Sequence, residues 1–165
     1  MKRLLVGIFF FFFLIIYTSS SAEARGMNFD GINDYYETDL GSDWAPSAWT
    51  IETTFTLRSW NTKTFDHVFS IGFSHNTTMY VQTGGHTLNY KGYFNGVRKE
   101  YKMADLVLNQ EYHVAAVFTG SEVFLYVNNQ LVRNFVADSP TTQASTLLRI
   151  GGTTNSIEMF KGEIS

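Results

Sequence analysis

The chain has 165 residues, a formal net charge of −3, 44% hydrophobic and 16% aromatic residues, and no cysteine. Its acidic balance and lack of a basic stripe argue against nucleic acid and anionic membranes as partners. The missing cysteines exclude disulfides, thiol nucleophiles and cysteine zinc sites. Its length allows one domain with a substantial core rather than two.

The first 24 residues read as a secretory signal peptide. Lys2 and Arg3 precede an apolar run from Leu4 to Tyr17, then "TSSSAEA" offers small residues at Ala22 and Ala24. This order of basic end, apolar core and small-residue site predicts cleavage after Ala24. The alternative is an uncleaved anchor, but the run is shorter than the roughly 18 residues a spanning helix needs. Residues 25–165 are then one secreted domain (periplasmic in a bacterium) with no membrane span.

Beyond residue 25 the apolar residues alternate, which predicts strands. In "TIETTFTLRSW", Ile51, Thr53, Phe55 and Leu57 fall on one face and Glu52, Thr54, Thr56 and Arg58 on the other. That is a half-buried antiparallel strand. "MYVQTGGHTLNYKGYF" predicts a hairpin around Gly84-Gly85, and "YFNGVRKEY" another around Asn95-Gly96. "YHVAAVF" and "EVFLYV" are apolar on both faces, as central strands are, and are joined by Thr119-Gly120-Ser121. "VNNQLV" turns at Asn128-Asn129, where asparagine tolerates positive φ. "TLLRIGG" is a further strand ended by glycines. Many short strands predict an all-β, antiparallel two-sheet sandwich.

Four segments in order resemble the concanavalin A-like lectin/glucanase superfamily, nearest its laminin G-like and pentraxin-like members. They are "MNFDGINDYYET", "WTIETTFTL", "YHVAAVFTGSEVFLYVNNQLV" and "LLRIGG…FKGEIS". The resemblance implies a concanavalin A-like jelly roll over nearly all of residues 25–165. Three features depart from it. Glu111 stands where a Trp is common, and "IGGTTNSIE" lacks the acidic calcium cluster of pentraxins. "GEIS" stops before the last strand is complete, so the edge is short or the chain is a fragment.

The superfamily includes glucanases, whose chemistry needs an acid and a nucleophile about 5 Å apart for retention. Alternate strand positions would supply them, but no Glu-x-Asp-x-Glu-like triplet exists here. His67, His75, His86 and His113 are isolated, with no paired metal-ligand spacing. The sequence therefore predicts a non-enzymatic module.

Asp30, Asn33 and Asp34 supply oxygen ligands of the kind a structural calcium takes, or form an Asx turn. Asn76-Thr77-Thr78 is an N-glycosylation sequon. Trp60, Tyr80, Gln82, Asn89, Tyr90 and Tyr93 form the candidate ligand platform. Adjacent antiparallel strands bring alternate side chains onto one face, and aromatic rings with polar tips suit sugar stacking. Core packing is the alternative for each aromatic, and the favoured one for Phe94. The expected partner is a glycan or an extracellular glycoprotein. An adhesion or protein-interaction module is the rival reading, and a glycan-cleaving enzyme a third.

Overall fold

The computed structural model describes residues 26–41, 46–72, 77–138, 146–153 and 158–165. The signal-peptide segment, the sequon residue Asn76 and His75 lie outside the described residues. Among the described residues, twelve strands form two antiparallel sheets of six. No described helix is long and apolar enough to cross a membrane.

The first sheet contains β1 (Met27–Asp30), β3 (Trp49–Leu57), β8 (Glu111–Phe118), β9 (Glu122–Val127), β10 (Gln130–Val136) and β12 (Lys161–Ile164). Its order is β1-β12-β3-β8-β9-β10. The closing strand thus lies between the opening strand and β3, with Met27 opposite Ile164 and Gly162 opposite Leu57. The second sheet contains β2 (Tyr36–Asp39), β4 (Phe65–Ile71), β5 (Thr77–Gln82), β6 (Thr87–Phe94), β7 (Val97–Asp105) and β11 (Leu147–Ile150). Its order is β2-β11-β4-β5-β6-β7.

The core lies between the sheets and is built by the alternation read above. Phe55 and Leu57 are buried from β3, Val114, Ala116 and Phe118 from β8, and Val123 and Leu125 from β9. The second sheet answers with Val68, Phe69, Ile71, Met79, Val81, Leu88, Tyr90 and Phe94. Phe55 stacks on Tyr112 and meets Phe160 edge-on, each at 5.7 Å between ring centroids. These are the offset and T-shaped geometries that the aromatic quadrupole favours. Gly151 is required where it stands. Its φ is +79°, and a Cβ there would lie 2.3 Å from the Phe29 ring.

Two predicted turns form as asparagine chemistry dictates. Asn95 and Gly96 have φ of 48° and 74°, and Asn128 and Asn129 have 50° and 64°. Both central residues of a type I′ turn need positive φ. The turn near Gly84-Gly85 differs. Thr83–Gly85 is a short 3-10 turn, and the left-handed residue is His86, with φ 53°. The Trp60 indole stacks on the His86 ring at 4.0 Å.

Candidate functional site

Pleating divides the second sheet into a core face and an outer face. On β5, Met79 and Val81 point inward while Thr78, Tyr80 and Gln82 point outward. Register carries this division to the neighbours. Tyr80 lies opposite Asn89 and Thr78 opposite Lys91, so Asn89, Lys91 and Tyr93 share the outer face. Lys91 lies opposite Glu100 and Tyr93 opposite Arg98, which adds the outward residues of β7. His67 lies opposite Tyr80 and Phe65 opposite Gln82 on the other side. A register shift between His67 and Phe69 then returns Phe69 to the core.

A cleft of about 150 Å³ opens on this face, lined by Phe65, His67, Tyr80, Lys91, Arg98, Glu100 and Glu158. Tyr80 forms its floor. The Tyr80 ring meets Phe65 edge-on at 5.3 Å and stacks against His67 at 5.6 Å. Its hydroxyl donates to Glu100 Oε1, and Arg98 Nη2 donates to Glu100 Oε2. Burial, followed by the hydrogen bond to Glu100, pushes the Tyr80 phenol far above its ordinary value.

His67 is 3% exposed. Its Nδ1 lies 2.8 Å from the Thr78 hydroxyl, which donates to the Phe69 carbonyl at 2.6 Å. Its Nε2 lies 3.2 Å from Glu158 Oε2. Burial lowers the His67 pKa, and Glu158 opposes that shift. Lys91 is half-buried. Its pKa is lowered by burial and then by Arg98, against the pull of Glu100 and Glu158. The cleft therefore joins aromatic surface to charged donors and acceptors within one small volume.

Beside the cleft, Arg149 donates to Glu37 and to the Thr153 carbonyl. Its guanidinium lies 4.3 Å from the centre of the Tyr35 ring. This latch ties β2, β11 and the segment after β11 together on the same outer face.

The six predicted platform residues do not converge as a set. Tyr80 alone of them lines the cleft. Tyr90 corrects the platform outright. It is fully buried, facing the core beside Phe135 at 6.2 Å, because its position on β6 has the parity of Leu88 and Phe94. Asn89 is on the outer face but 7% exposed, and its amide donates to the Thr87 carbonyl and hydroxyl. Tyr93 is half-buried on that face and Gln82 exposed at its end, both outside the cleft lining. Trp60 lies against His86 and packs on the core.

The turn at Asp30, Asn33 and Asp34 is an Asx turn. Asp30 Oδ1 accepts from Ile32 N at 2.7 Å and Asn33 N at 3.4 Å, and Asp34 Oδ2 accepts from Asp30 N at 3.2 Å. Backbone amides thus engage one carboxylate oxygen of Asp30 and one of Asp34. Among the described residues, no group of three or more His, Asp or Glu could hold a metal ion. His113 sits on the outer face of the first sheet, 2.6 Å from Glu52.

Sequence reasoning missed Phe65, His67, Arg98, Glu100 and Glu158 as site residues, and placed Lys91 only beside the site. The signal for the strand residues was present. Phe65 and His67 alternate on β4, and Arg98 and Glu100 alternate on β7, so each pair shares a face. Glu158 reaches the cleft from the segment before β12, which no periodicity reveals.

No curated protein matches the chain by sequence. Solved structures do match in fold. A Bacteroides ovatus ATCC 8483 protein classed as carbohydrate binding has a TM-score of 0.62 at 16% identity, over 86% of this chain and 42% of that one. This chain therefore spans less than half of that relative. The CBM40 of a Ruminococcus gnavus IT-sialidase, bound to α2,3 sialyllactose, has a TM-score of 0.58 at 16% identity, over 84% of this chain and 86% of that one. Domains LG4-5 of the mouse laminin alpha1 chain have a TM-score of 0.60 at 12% identity, over 85% of this chain and 39% of that one. A family model described as the concanavalin A-like lectin/glucanases superfamily matches residues 30–165. With that match over most of its length and two six-stranded antiparallel sheets in place, the chain belongs to the concanavalin A-like lectin/glucanases superfamily.

Proposed function

We propose that the chain is a secreted, non-catalytic glycan-binding module whose site is the cleft on the outer face of the second sheet. The observation that carries this reading is the lining of that cleft. The half-buried Phe65 ring, perpendicular to the Tyr80 ring, gives the cleft an aromatic surface of the kind on which sugar rings stack. Lys91, Arg98, Glu100 and Glu158 stand around it as donors and acceptors for hydroxyls. The volume, about 150 Å³, is below the roughly 300–1,000 Å³ of drug-sized sites, so it suits one sugar ring. The sugar-binding relatives named above support the reading by analogy of fold alone.

The test is an oligosaccharide array on the purified protein, followed by titration of any hit against Phe65→Ala. Stacking on an aromatic contributes about 1 kcal/mol, so the variant should bind several-fold more weakly while still unfolding cooperatively, with a modestly lowered thermal midpoint from the lost Phe65–Tyr80 contact. Unchanged affinity would remove the cleft from the reading.

The rival is a protein-interaction module. It is favoured by β10, an edge strand whose Leu131, Val132 and Val136 are 52%, 41% and 70% exposed. An open apolar edge can pair with another chain. Failure on the array, with self-association or partner binding lost in Val136→Lys, would favour that reading.

A further inference from the structure

We propose that the cleft is selective for neutral sugars with adjacent hydroxyls and discriminates against sugars carrying a carboxylate. The inference rests on the glycan-binding reading and deepens it.

Among the described residues, the charges lining the cleft balance in kind. Lys91 and Arg98 face Glu100 and Glu158, and His67 is biased toward its neutral form by burial. An incoming carboxylate thus finds no excess of positive charge among the described lining residues. Arg98 is the cation best shaped to clamp a carboxylate, since its fork binds two oxygens at once. That guanidinium already donates to Glu100, and the other Glu100 oxygen accepts the Tyr80 hydroxyl. An acidic sugar would have to displace an internal pair or lie beside two fixed carboxylates in a partly desolvated site.

Lys91 is differently placed. It stands opposite Glu100 in the β6–β7 register and feels the attraction of both Glu100 and Glu158. No hydrogen bond or ion pair engages its ammonium among the described residues. An ammonium carries three donors and no acceptor, and a carboxylate accepts only. The ligand group that completes such a pair is one that accepts from the first and donates to the second. A hydroxyl does both. Two adjacent hydroxyls on one ring can bridge Lys91 to a neighbouring carboxylate while the ring's apolar face lies toward Phe65. A ligand carboxylate satisfies Lys91 but repels Glu158, and like-charge repulsion grows as water is excluded.

Matched pairs of glycans test this on the purified protein: lactose against α2,3 sialyllactose, and galacto-oligosaccharide against oligogalacturonate. The expected result is binding of the neutral member, with its acidic partner at least about tenfold weaker, a modest discrimination for a single misplaced charge. Neutral binding should hold steady between about 0.05 and about 0.5 M salt, because screening acts on net charge–charge attraction. Lys91→Met should weaken neutral binding about tenfold or more, the loss expected when buried ligand hydroxyls lose a charged partner. Its thermal midpoint should be retained. Tighter, salt-sensitive binding of the acidic members would overturn the selectivity and leave the glycan reading standing. Unchanged neutral binding in Lys91→Met would overturn the bridging role. No binding of either member, on these pairs and across a full array, would overturn both the selectivity and the reading beneath it.

Discussion

Asp66 gives the sharpest test of the fold's energetics. It lies on β4 with the inward parity of its partner Val81 and has no exposed surface. Neither carboxyl oxygen accepts a hydrogen bond in good geometry. The Asn61 side chain and backbone lie close enough to favour the ionised form only in part. Burial dominates, with a further push from Glu158, and raises the Asp66 pKa from 3.8 to about 7. A raised carboxyl pKa means that the folded state holds the proton more tightly than the unfolded one. The associated stability is fully present below pH about 4, is lost as pH rises toward about 7, and stays lost above that. Each pKa unit corresponds to about 1.4 kcal/mol, so the rise from 3.8 to about 7 caps the loss near 4 kcal/mol. Asp66→Asn removes the ionisation and nearly preserves the shape. Urea unfolding of both proteins from pH 4 to pH 8 should show the variant gaining on the parent by roughly 1–4 kcal/mol across that range. His67 titrates in the same window with the opposite sign, since its lowered pKa loses stability as pH falls below about 6.5. The difference between parent and variant cancels that contribution. A difference that stays constant from pH 4 to pH 8 would refute the reasoning and mean that Asp66 is solvated or firmly hydrogen-bonded.

Tyr90 has a buried hydroxyl without a partner, so Tyr90→Phe should be neutral or stabilising by about 1 kcal/mol. Tyr90→Ala should cost roughly 3–5 kcal/mol, and thermal or urea unfolding distinguishes the two. Gly151→Ala should destabilise by at least about 2 kcal/mol, because left-handed backbone and the Phe29 ring both oppose a Cβ; wild-type stability would contradict the packing described. N-terminal sequencing of exported protein should begin at Arg25, give or take a few residues, and recovery of the intact chain in a membrane fraction would contradict export. Tyr80→Phe removes the hydroxyl that orders Glu100 and should weaken glycan binding several-fold, measured by the same titration as Phe65→Ala.

The sandwich was legible because its evidence is local and repeated. Each strand advertises itself by alternation, and asparagine turns such as Asn95-Gly96 and Asn128-Asn129 fix where the chain reverses. The face of β3 followed from the same rule, and Phe55 and Leu57 are buried as alternation requires. The site was less legible because face assignment across neighbouring strands depends on register. The sequence shows Tyr80, Tyr90 and Tyr93 clustered, yet register sends Tyr80 and Tyr93 outward and Tyr90 inward. A one-residue difference in position reverses the face of a strand residue, and the register shifts after Leu88 and after His67 are not marked by glycine or proline. Tyrosine is also ambiguous by composition, since its ring suits a core and its hydroxyl suits a site. Tyr90 resolves toward the core at the cost of an unpartnered hydroxyl, whereas Tyr80 resolves toward the cleft by giving its hydroxyl to Glu100. The charged residues that complete the cleft come from β6, β7 and the segment before β12. Lys91, Arg98 and Glu158 look like ordinary solvated charges when each is read in its own neighbourhood. What marks them is their convergence on a partly buried aromatic floor, where a polar group must find a partner or accept the penalty of burial. In the glycan-binding reading proposed above, a ligand hydroxyl is that partner for Lys91, whose pKa burial lowers.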